Sequence, residues 1–313
     1  MVASPRIPAS PISCGGGRIG QGPQAETDRT RATEAMNAIV RCKALITGAA
    51  GGMGRACAYL FGATCDLVLS DLSQDRLDAF ARELRDAGHT VSALAGDMLD
   101  EAHLAALVSE LDADRPCSVI HTAGLSPSLA DWQAIMKVNL VGTEMLMEAL
   151  EPVLVAGSVV VPIASMAGHM FPPNQQLDAL LSAPLDPVFV QGIGAALEAM
   201  SGGDEGVKRG ISYSLSKRGV HLLTCRRAIG WGPRGVRVVS ISPGVIHTPM
   251  GLSENKKTPG ALDTLKAAAL GRIGTSMDIA MAARFLCSEE AGYITATDLK
   301  VDGGSTEVIA AQR

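Results

Sequence analysis

Residues 44–54 read Ala-Leu-Ile-Thr-Gly-Ala-Ala-Gly-Gly-Met-Gly, and this stretch decides the fold. The apolar run at its start predicts a short buried strand; Gly48, Gly51, Gly52 and Gly54 predict a tight turn, and residues 55–61 a helix. Glycine turns sharply and lets the backbone approach a pyrophosphate with no Cβ in the way. The helix start adds free N–H groups, Met53 among them, and the positive end of a dipole. Glycines alone say little; the strand before, the helix after and an acid at the right distance make the pattern informative. That acid is Asp71, closing a second predicted strand at residues 66–70, where it can accept hydrogen bonds from both hydroxyls of a ribose. A carboxylate there repels a 2′-phosphate, so the expected cofactor is NAD rather than NADP, and no Lys or Arg in the turn or just after Asp71 reverses that choice. The bland alternative is a tight strand–helix turn with a surface Asp. The glycine cluster at 15–22 lies in the N-terminal tail with no strand before it, and Gly192-Ile193-Gly194 sits within a helical stretch; both are expected to be structural.

Outward from this turn, short apolar runs alternate with helical patterns. Strands are expected at 66–70, 91–95, 118–121, 159–163, 236–241 and 298–301. Helices are expected at 76–87, 102–111, 132–150, 213–229 and 277–286. Strands alternating with helices imply parallel βαβ units, hence an α/β, doubly wound parallel sheet of Rossmann type. Pro162 cannot donate a ladder hydrogen bond, so a bulge or strand end is expected there. Residues 1–38 are rich in Pro, Gly and Ser and predict a flexible N-terminal extension, with a transit peptide or an over-long start before Met36 as alternatives. Residues 39–313 form the expected domain.

With 47% hydrophobic and 19% charged residues among 313, a sizeable core is affordable. A net charge of −5 argues against a nucleic-acid partner held on a broad basic face. The seven scattered cysteines form no CxxC and predict reduced thiols in a cytoplasmic protein. The six histidines form no HExxH pair, so no metal site is assigned. The uncharged stretch 152–170 is interrupted by Pro152, Gly157, Pro162 and Gly168, which argues for a buried strand and against a membrane span.

In the stretch Ile211-Ser-Tyr-Ser-Leu-Ser-Lys-Arg218, Tyr213 stands four residues before Lys217, a spacing that stacks a phenol beside an ammonium on one helix face. Together with TGAAGGMG, Gly124 in HTAG, Asn139 in VNLVGT, Ser165 in ASMAG, and Pro243-Gly244 in SPGVIHTP, all in that order, the chain resembles the short-chain dehydrogenase/reductase family over residues 44–304. The ending Val301-Asp302-Gly303-Gly304 resembles the family's VDGG. The resemblance implies Tyr213 as acid/base, Lys217 as its helper and a holder of the nicotinamide ribose, Ser165 as the group that positions the carbonyl, and Asn139 in a water-linked proton relay. A phenol titrates near 10, and a neighbouring ammonium favours the phenolate. Further implied cofactor contacts are Leu72, Asp97 and Met98, Ala123 and Gly124, and Pro243, Gly244, Ile246 and Thr248. His247 has no partner by spacing and is expected to be a loop residue.

The sequence departs from the family at His121-Thr122, where Asn-Asn is usual, at Ala164, and above all in the long stretch between Ser165 and Tyr213. This insertion, about 169–210, is expected to carry helices at 175–181 and 187–200, and either to rim the substrate mouth or to cover a surface through which family members pair; an inert insertion is the third possibility. A similar lengthening, and the run Arg226-Arg227-Ala228-Ile229-Gly230-Trp231-Gly232, look like bacterial 3α-hydroxysteroid dehydrogenase/carbonyl reductases. The expected substrate is therefore a steroid-like or alicyclic secondary alcohol or its ketone, in a pocket formed by Met166, Met170, the insertion and the loop 250–270. The expected assembly is a homodimer or homotetramer. Reduction of a 3-oxoacyl thioester is the second enzymatic reading; a non-catalytic NAD-binding sensor is the rival outside enzymology.

Overall fold

The structure, a computed structural model, describes residues 41–248 and 268–312. The expected N-terminal extension and most of the 250–270 loop lie outside the described residues. The described chain builds a single Rossmann-type domain on seven parallel strands in the order β3-β2-β1-β4-β5-β6-β9. The strands are β1 (Cys42–Thr47), β2 (Cys65–Asp71), β3 (Val91–Ala95), β4 (Cys117–His121), β5 (Val159–Pro162), β6 (Arg237–Pro243) and β9 (Thr297–Val301). A short pair, β7 (Ile246–His247) and β8 (Gly274–Thr275), stands apart. The helices are α1 (Gly52–Gly62), α2 (Gln74–Asp86), α3 (Glu101–Ser109), α4 (Trp132–Met136), α5 (Gly142–Leu150), α6 (Gln175–Leu181), α7 (Phe189–Ser201), α8 (Glu205–Trp231), α9 (Ser276–Leu286) and α10 (Ser305–Ala311).

The central strands β1, β2, β4, β5 and β6 are buried on both faces, and their side chains alternate between two cores, as a period of two requires. Leu45, Val68, Val119, Val160 and Val238 join one core with α3, α5 and α8. Ile46, Leu67, Leu69, Ile120 and Ile241 join the other with α1, α2 and α9. Because β1 lies between β2 and β4, the chain leaves β1 toward one edge and later returns to its other side. That topological switch opens a crevice at the carboxyl ends of the strands. Pro162 ends β5. Pairing of β5 with β6 covers Val159 and Val160, then resumes only at a bridge between Ile163 and Ile241, which spans the missing donor.

Two expectations are corrected. The helix expected over 132–150 is divided: α4 ends at Met136, a π turn runs over Lys137–Val141, and α5 begins at Gly142. The Asn139 side chain holds Leu125 by both its ends, and the Thr143 hydroxyl takes up the Asn139 carbonyl. These tertiary demands override helix periodicity. The cysteines are also not all reduced thiols. Cys42 and Cys65, opposite each other on β1 and β2, form a disulfide with Cα atoms 4.6 Å apart. Strand register, which residue spacing does not display, makes the pair.

The insertion supplies α6, α7 and the start of α8. Asp204 caps α8 by accepting from the N–H groups of Gly206 and Val207, after a reversal in which Gly202 and Gly203 take φ of 60° and 84°. Leu181, Phe189, Ile193 and Leu197 are fully buried in the same core as Leu215 and Leu223 of α8. Arg218 grips Asp178 with two N–H groups at 2.5 and 2.6 Å. Gly194 lets the Trp132 ring approach where a Cβ would stand 2.8 Å from it. Among the described residues no helix is long and apolar enough to cross a membrane.

Candidate active site

The glycine turn is built for close approach. Gly48 takes φ +62°, and a Cβ there would lie 2.8 Å from the amide of Ala123, just beyond the end of β4. A Cβ on Gly54 would sit 2.3 Å from the Gly48 carbonyl, so α1 begins directly against the turn. Gly51 caps α1 without a side-chain bond, and the first turn of the helix holds no acid. Its leading N–H groups therefore face the crevice available to an anion. Gly52 lies under Thr248, whose methyl would be 2.8 Å from a Cβ there. The turn thus fits a dinucleotide pyrophosphate.

Asp71 stands at the end of β2, its Oδ2 accepting from the Ala50 amide at 2.9 Å and its Oδ1 from Ser73 at 3.2 Å. Each oxygen keeps a lone pair for a hydroxyl donor. The same Ala50 carries a second tie: its carbonyl accepts from the Arg76 guanidinium at 2.7 Å. Arg76 thus brings a cation to the glycine turn that neither the turn nor the residues just after Asp71 supply. Arg76 lies in the first turn of α2, and that turn folds it back onto the glycine turn. Leu72 projects beyond Asp71 and is 74% exposed. Asp97 is exposed, with its Oδ1 accepting from Leu99, while the Met98 side chain enters the core.

A cavity of about 230 Å³ opens beside the turn, lined by Met53, Gly124, Ser165, Met166, Tyr213 and Lys217 together with Pro243, Gly244, Ile246 and Thr248. These residues, far apart in sequence, meet at the carboxyl ends of the strands. A larger pocket of 640 Å³ lies at Gly157, Gly235, Arg237 and Tyr293, and none of the expected site residues lines it. Ser165 follows β5 and caps the 3₁₀ turn Met166–His169, its Oγ accepting from Ala167 at 3.2 Å. Its own proton is free to donate to an oxygen in the cavity. Lys217 is buried and donates to the Ile163 carbonyl at 2.8 Å, tying α8 to the strand end that carries Ser165. Its Nζ lies 5.9 Å from the centre of the Tyr213 ring. Burial pushes the Lys217 ammonium down to about 8. A Cβ on Gly124 would stand 3.1 Å from Asn139 Oδ1 and 3.5 Å from Lys217 Nζ, so Asn139 and Lys217 converge on the same point. The Asn139 amide donates to the Leu125 carbonyl and to Ser216, and accepts from the Leu125 N–H, which leaves its side chain a holding part.

A polar chain runs behind the cavity that residue spacing did not reveal. The Thr47 hydroxyl and His121 Nδ1 are 2.7 Å apart, His121 Nε2 and Thr143 2.9 Å, and Thr143 donates to the Asn139 carbonyl at 2.7 Å. Because the Thr143 proton is spent on Asn139, Thr143 accepts from Nε2–H, and Nδ1 accepts from Thr47. Burial, with Lys217 as a lesser cause, pushes His121 down to about 3, so the ring is neutral. The HTAG departure marks this position in the sequence, but not its partners. None of the described insertion residues lines the cavity; α6 and α7 pack instead on α4 and α8.

A family model described as short chain dehydrogenase matches residues 43–177, and one described as Enoyl-(Acyl carrier protein) reductase matches residues 179–306. A galactitol 2-dehydrogenase (L-tagatose-forming) of Cereibacter sphaeroides is 32% identical over 84% of this chain and 94% of its own. A 3beta-hydroxysteroid dehydrogenase 1 of Eggerthella lenta is 27% identical over 84% of this chain and 92% of its own. The match to an uncharacterized short-chain type dehydrogenase/reductase of Sinorhizobium fredii, 30% identical, spans only 43% of that protein's length. Among solved structures, a short-chain dehydrogenase/reductase of Brucella melitensis, titled glucose/ribitol dehydrogenase, superposes with a TM-score of 0.65 at 25% identity, covering 84% of this chain and 96% of its own.

Proposed function

The chain belongs to the short-chain dehydrogenase/reductase family, and from that premise we propose that it is an NAD-dependent enzyme interconverting a secondary alcohol and a ketone. The observation that carries the reading is the convergence of Ser165, Tyr213 and Lys217 on one cavity whose lining includes Met53 of the glycine turn. A nicotinamide dinucleotide, held by residues 48–54, Asp71, Leu72, Asp97, Ala123, Gly124, Ile246 and Thr248, supplies the hydride acceptor or donor. The rest is done by the chain. Ser165 donates to the substrate oxygen. Tyr213 takes the alcohol proton in oxidation and returns it in reduction. Lys217, charged at neutral pH, stabilises the phenolate, and Asn139 holds the backbone against which Lys217 rests.

A steroid-like or alicyclic alcohol is the substrate class we favour. Met53, Leu125, Met166, Val245 and Ile246 make the cavity wall largely apolar, and one relative is named a 3beta-hydroxysteroid dehydrogenase. The galactitol relative makes an open-chain polyol the contrasting class. Arg76 supports a second reading, use of NADP by a 3-oxoacyl-thioester reductase, since its guanidinium bonds the glycine turn at Ala50, and a guanidinium suits a phosphate. The assembly we propose is a homodimer or homotetramer, supported by the exposed apolar stripe of Met277, Met281 and Phe285 along α9. A cytoplasmic location is supported by the free thiols of Cys57 and Cys117; the Cys42–Cys65 bond weighs against it.

Cyclic alcohols, galactitol and a 3-oxoacyl thioester, each with NAD and with NADP, are followed by the absorbance of the reduced nicotinamide. The reading expects turnover of cyclic alcohols with NAD and a loss of about 100-fold or more in Tyr213→Phe. Equal rates in Tyr213→Phe would remove the proposed acid/base, and turnover confined to NADP would transfer the cofactor argument from Asp71 to Arg76.

A further inference from the structure

Outside the cavity, one turn further along α8, three ligand-type side chains meet. His221 stands one turn beyond Lys217 on α8, His169 closes the 3₁₀ turn that starts after Ser165, and Asp298 lies on β9. His169 Nε2 is 2.9 Å from Asp298 Oδ2, and His221 Nε2 is 3.4 Å from Asp298 Oδ1. The two imidazole rings lie 4.4 Å apart, and one ligand atom from each of the three residues falls within 4.8 Å of the others. His169 and Asp298 are separated by 129 positions, so no motif announces the group.

We propose that His169, His221 and Asp298 form a binding site for a divalent transition metal of the zinc class. Two imidazole nitrogens and one carboxylate are a donor set suited to such a metal and poorly suited to magnesium or calcium, which take oxygen ligands. Ligands at about 2.0–2.2 Å from a tetrahedral ion stand roughly 3.4 Å from one another, within reach of the spacing here. The site has an outer shell. The Ser240 hydroxyl, fully buried on β6, donates to Asp298 Oδ1 at 2.6 Å, and such a partner orients a carboxylate ligand. Ser242 lies 2.9 Å from His221 Nε2, and an ion bound at that nitrogen would take its place. His221 is held in place by the close passage of the 3₁₀ turn, where a Cβ on Gly168 would stand 2.7 Å from its ring. The His169 side chain is 28% exposed, which gives an ion its entry path from solvent.

An ion there would clamp three elements: the turn that follows Ser165, the helix that carries Tyr213 and Lys217, and the edge strand β9. It would act through position, and it touches neither substrate nor dinucleotide. The site stands on this geometry whether or not the chain is a dehydrogenase.

The full chain, stripped with a chelator and dialysed, is titrated with Zn²⁺ against a chromophoric competitor and with Co²⁺ in the visible range. The proposal expects one equivalent bound, a rise of the thermal midpoint with metal, and a d–d spectrum without an intense thiolate band. His169→Gln, at the open side of the cluster, should weaken binding tenfold or more while far-UV circular dichroism is unchanged, and Asp298→Asn should do the same. Binding of wild-type strength in His169→Gln overturns the site. So does a thiolate band, which would assign the metal to a cysteine, and so does binding seen only at millimolar metal.

Discussion

Removing the Lys217 charge separates an electrostatic part for this residue from a merely structural one. The ammonium lies 5.9 Å from the Tyr213 ring centre. At an effective dielectric constant of about 20, a unit charge at that distance stabilises a phenolate by about 3 kcal/mol, a factor of about 100. Burial pushes Lys217 down to about 8, so the charge is present at pH 7 and is lost as pH rises through that value. Lys217→Met keeps the buried stem and deletes the charge together with the bond to the Ile163 carbonyl. Measured as kcat/KM for alcohol oxidation from about pH 6 to 10, the variant should fall about 100-fold at pH 7. The acid limb of its profile should move up by about two pH units, and the two proteins should converge toward high pH, where the wild type has lost its own charge. A loss of equal size at every pH would refute this reasoning, because it would show that Lys217 acts by holding the strand end that carries Ser165.

Other consequences are as direct. Gly54→Ala forces a Cβ to within 2.3 Å of the Gly48 carbonyl and must displace the turn; dinucleotide affinity, read by calorimetry, should drop tenfold or more, and an unchanged affinity would deny the turn its phosphate-binding part. His121 titrates at about 3 when folded against 6.5 ordinarily, so the unfolded chain binds the extra proton between those values and stability falls as pH drops through that window. The slope reaches about 1.4 kcal/mol per pH unit, and His121→Asn should flatten it by up to one proton in denaturant titrations from pH 7 to 5; parallel curves would contradict the buried neutral ring. Cys42→Ser opens a loop of sequence separation 23 and should cost about 3 kcal/mol on a chain-entropy account, with reductant lowering the wild type equally; no effect of reductant would mean that the two thiols are not joined.

The sheet was legible because buried parallel strands must be short apolar runs, and the observed strands β1 through β6 and β9 fall within one or two residues of those runs. The crevice followed from one turn, since only a strand–glycine–helix arrangement sets free N–H groups at a strand end. Tertiary demands hid the rest. The π turn at Asn139 carries no Pro or Gly ahead of it, and its cause lies in Leu125 and Thr143. Arg76 was out of reach of a sequence count because helix geometry, and not adjacency to Asp71, returns it to Ala50. The disulfide and the His169–His221–Asp298 cluster depend on register and on packing across α8. The place of the insertion was open between the cavity mouth and the helical flank. Its buried apolar residues answer the question, because Leu181, Phe189, Ile193 and Leu197 need a core and α8 offers one.

His121 shows how a departure from a family pattern can be absorbed. A histidine on a central strand end, fully buried, is tolerable only if both ring nitrogens are satisfied. Thr47 and Thr143 do this, and the direction of the chain is fixed at its far end, where the Thr143 hydroxyl is committed to the Asn139 carbonyl. Each hydrogen bond therefore points from the base of the glycine turn toward Asn139. The foot of the glycine turn, the end of the central strand and Asn139 are joined in one hydrogen-bonded unit. A substitution at Thr47 or Thr143 should consequently be felt at both ends, in dinucleotide affinity and in the proton-transfer step together, whereas loss of Asn139 alone should leave the dinucleotide end intact. Isothermal titration of NAD beside the pH profile of kcat/KM distinguishes the two patterns. If Thr143→Val moved only one of these readouts, the ends would be independent and the unit would not exist.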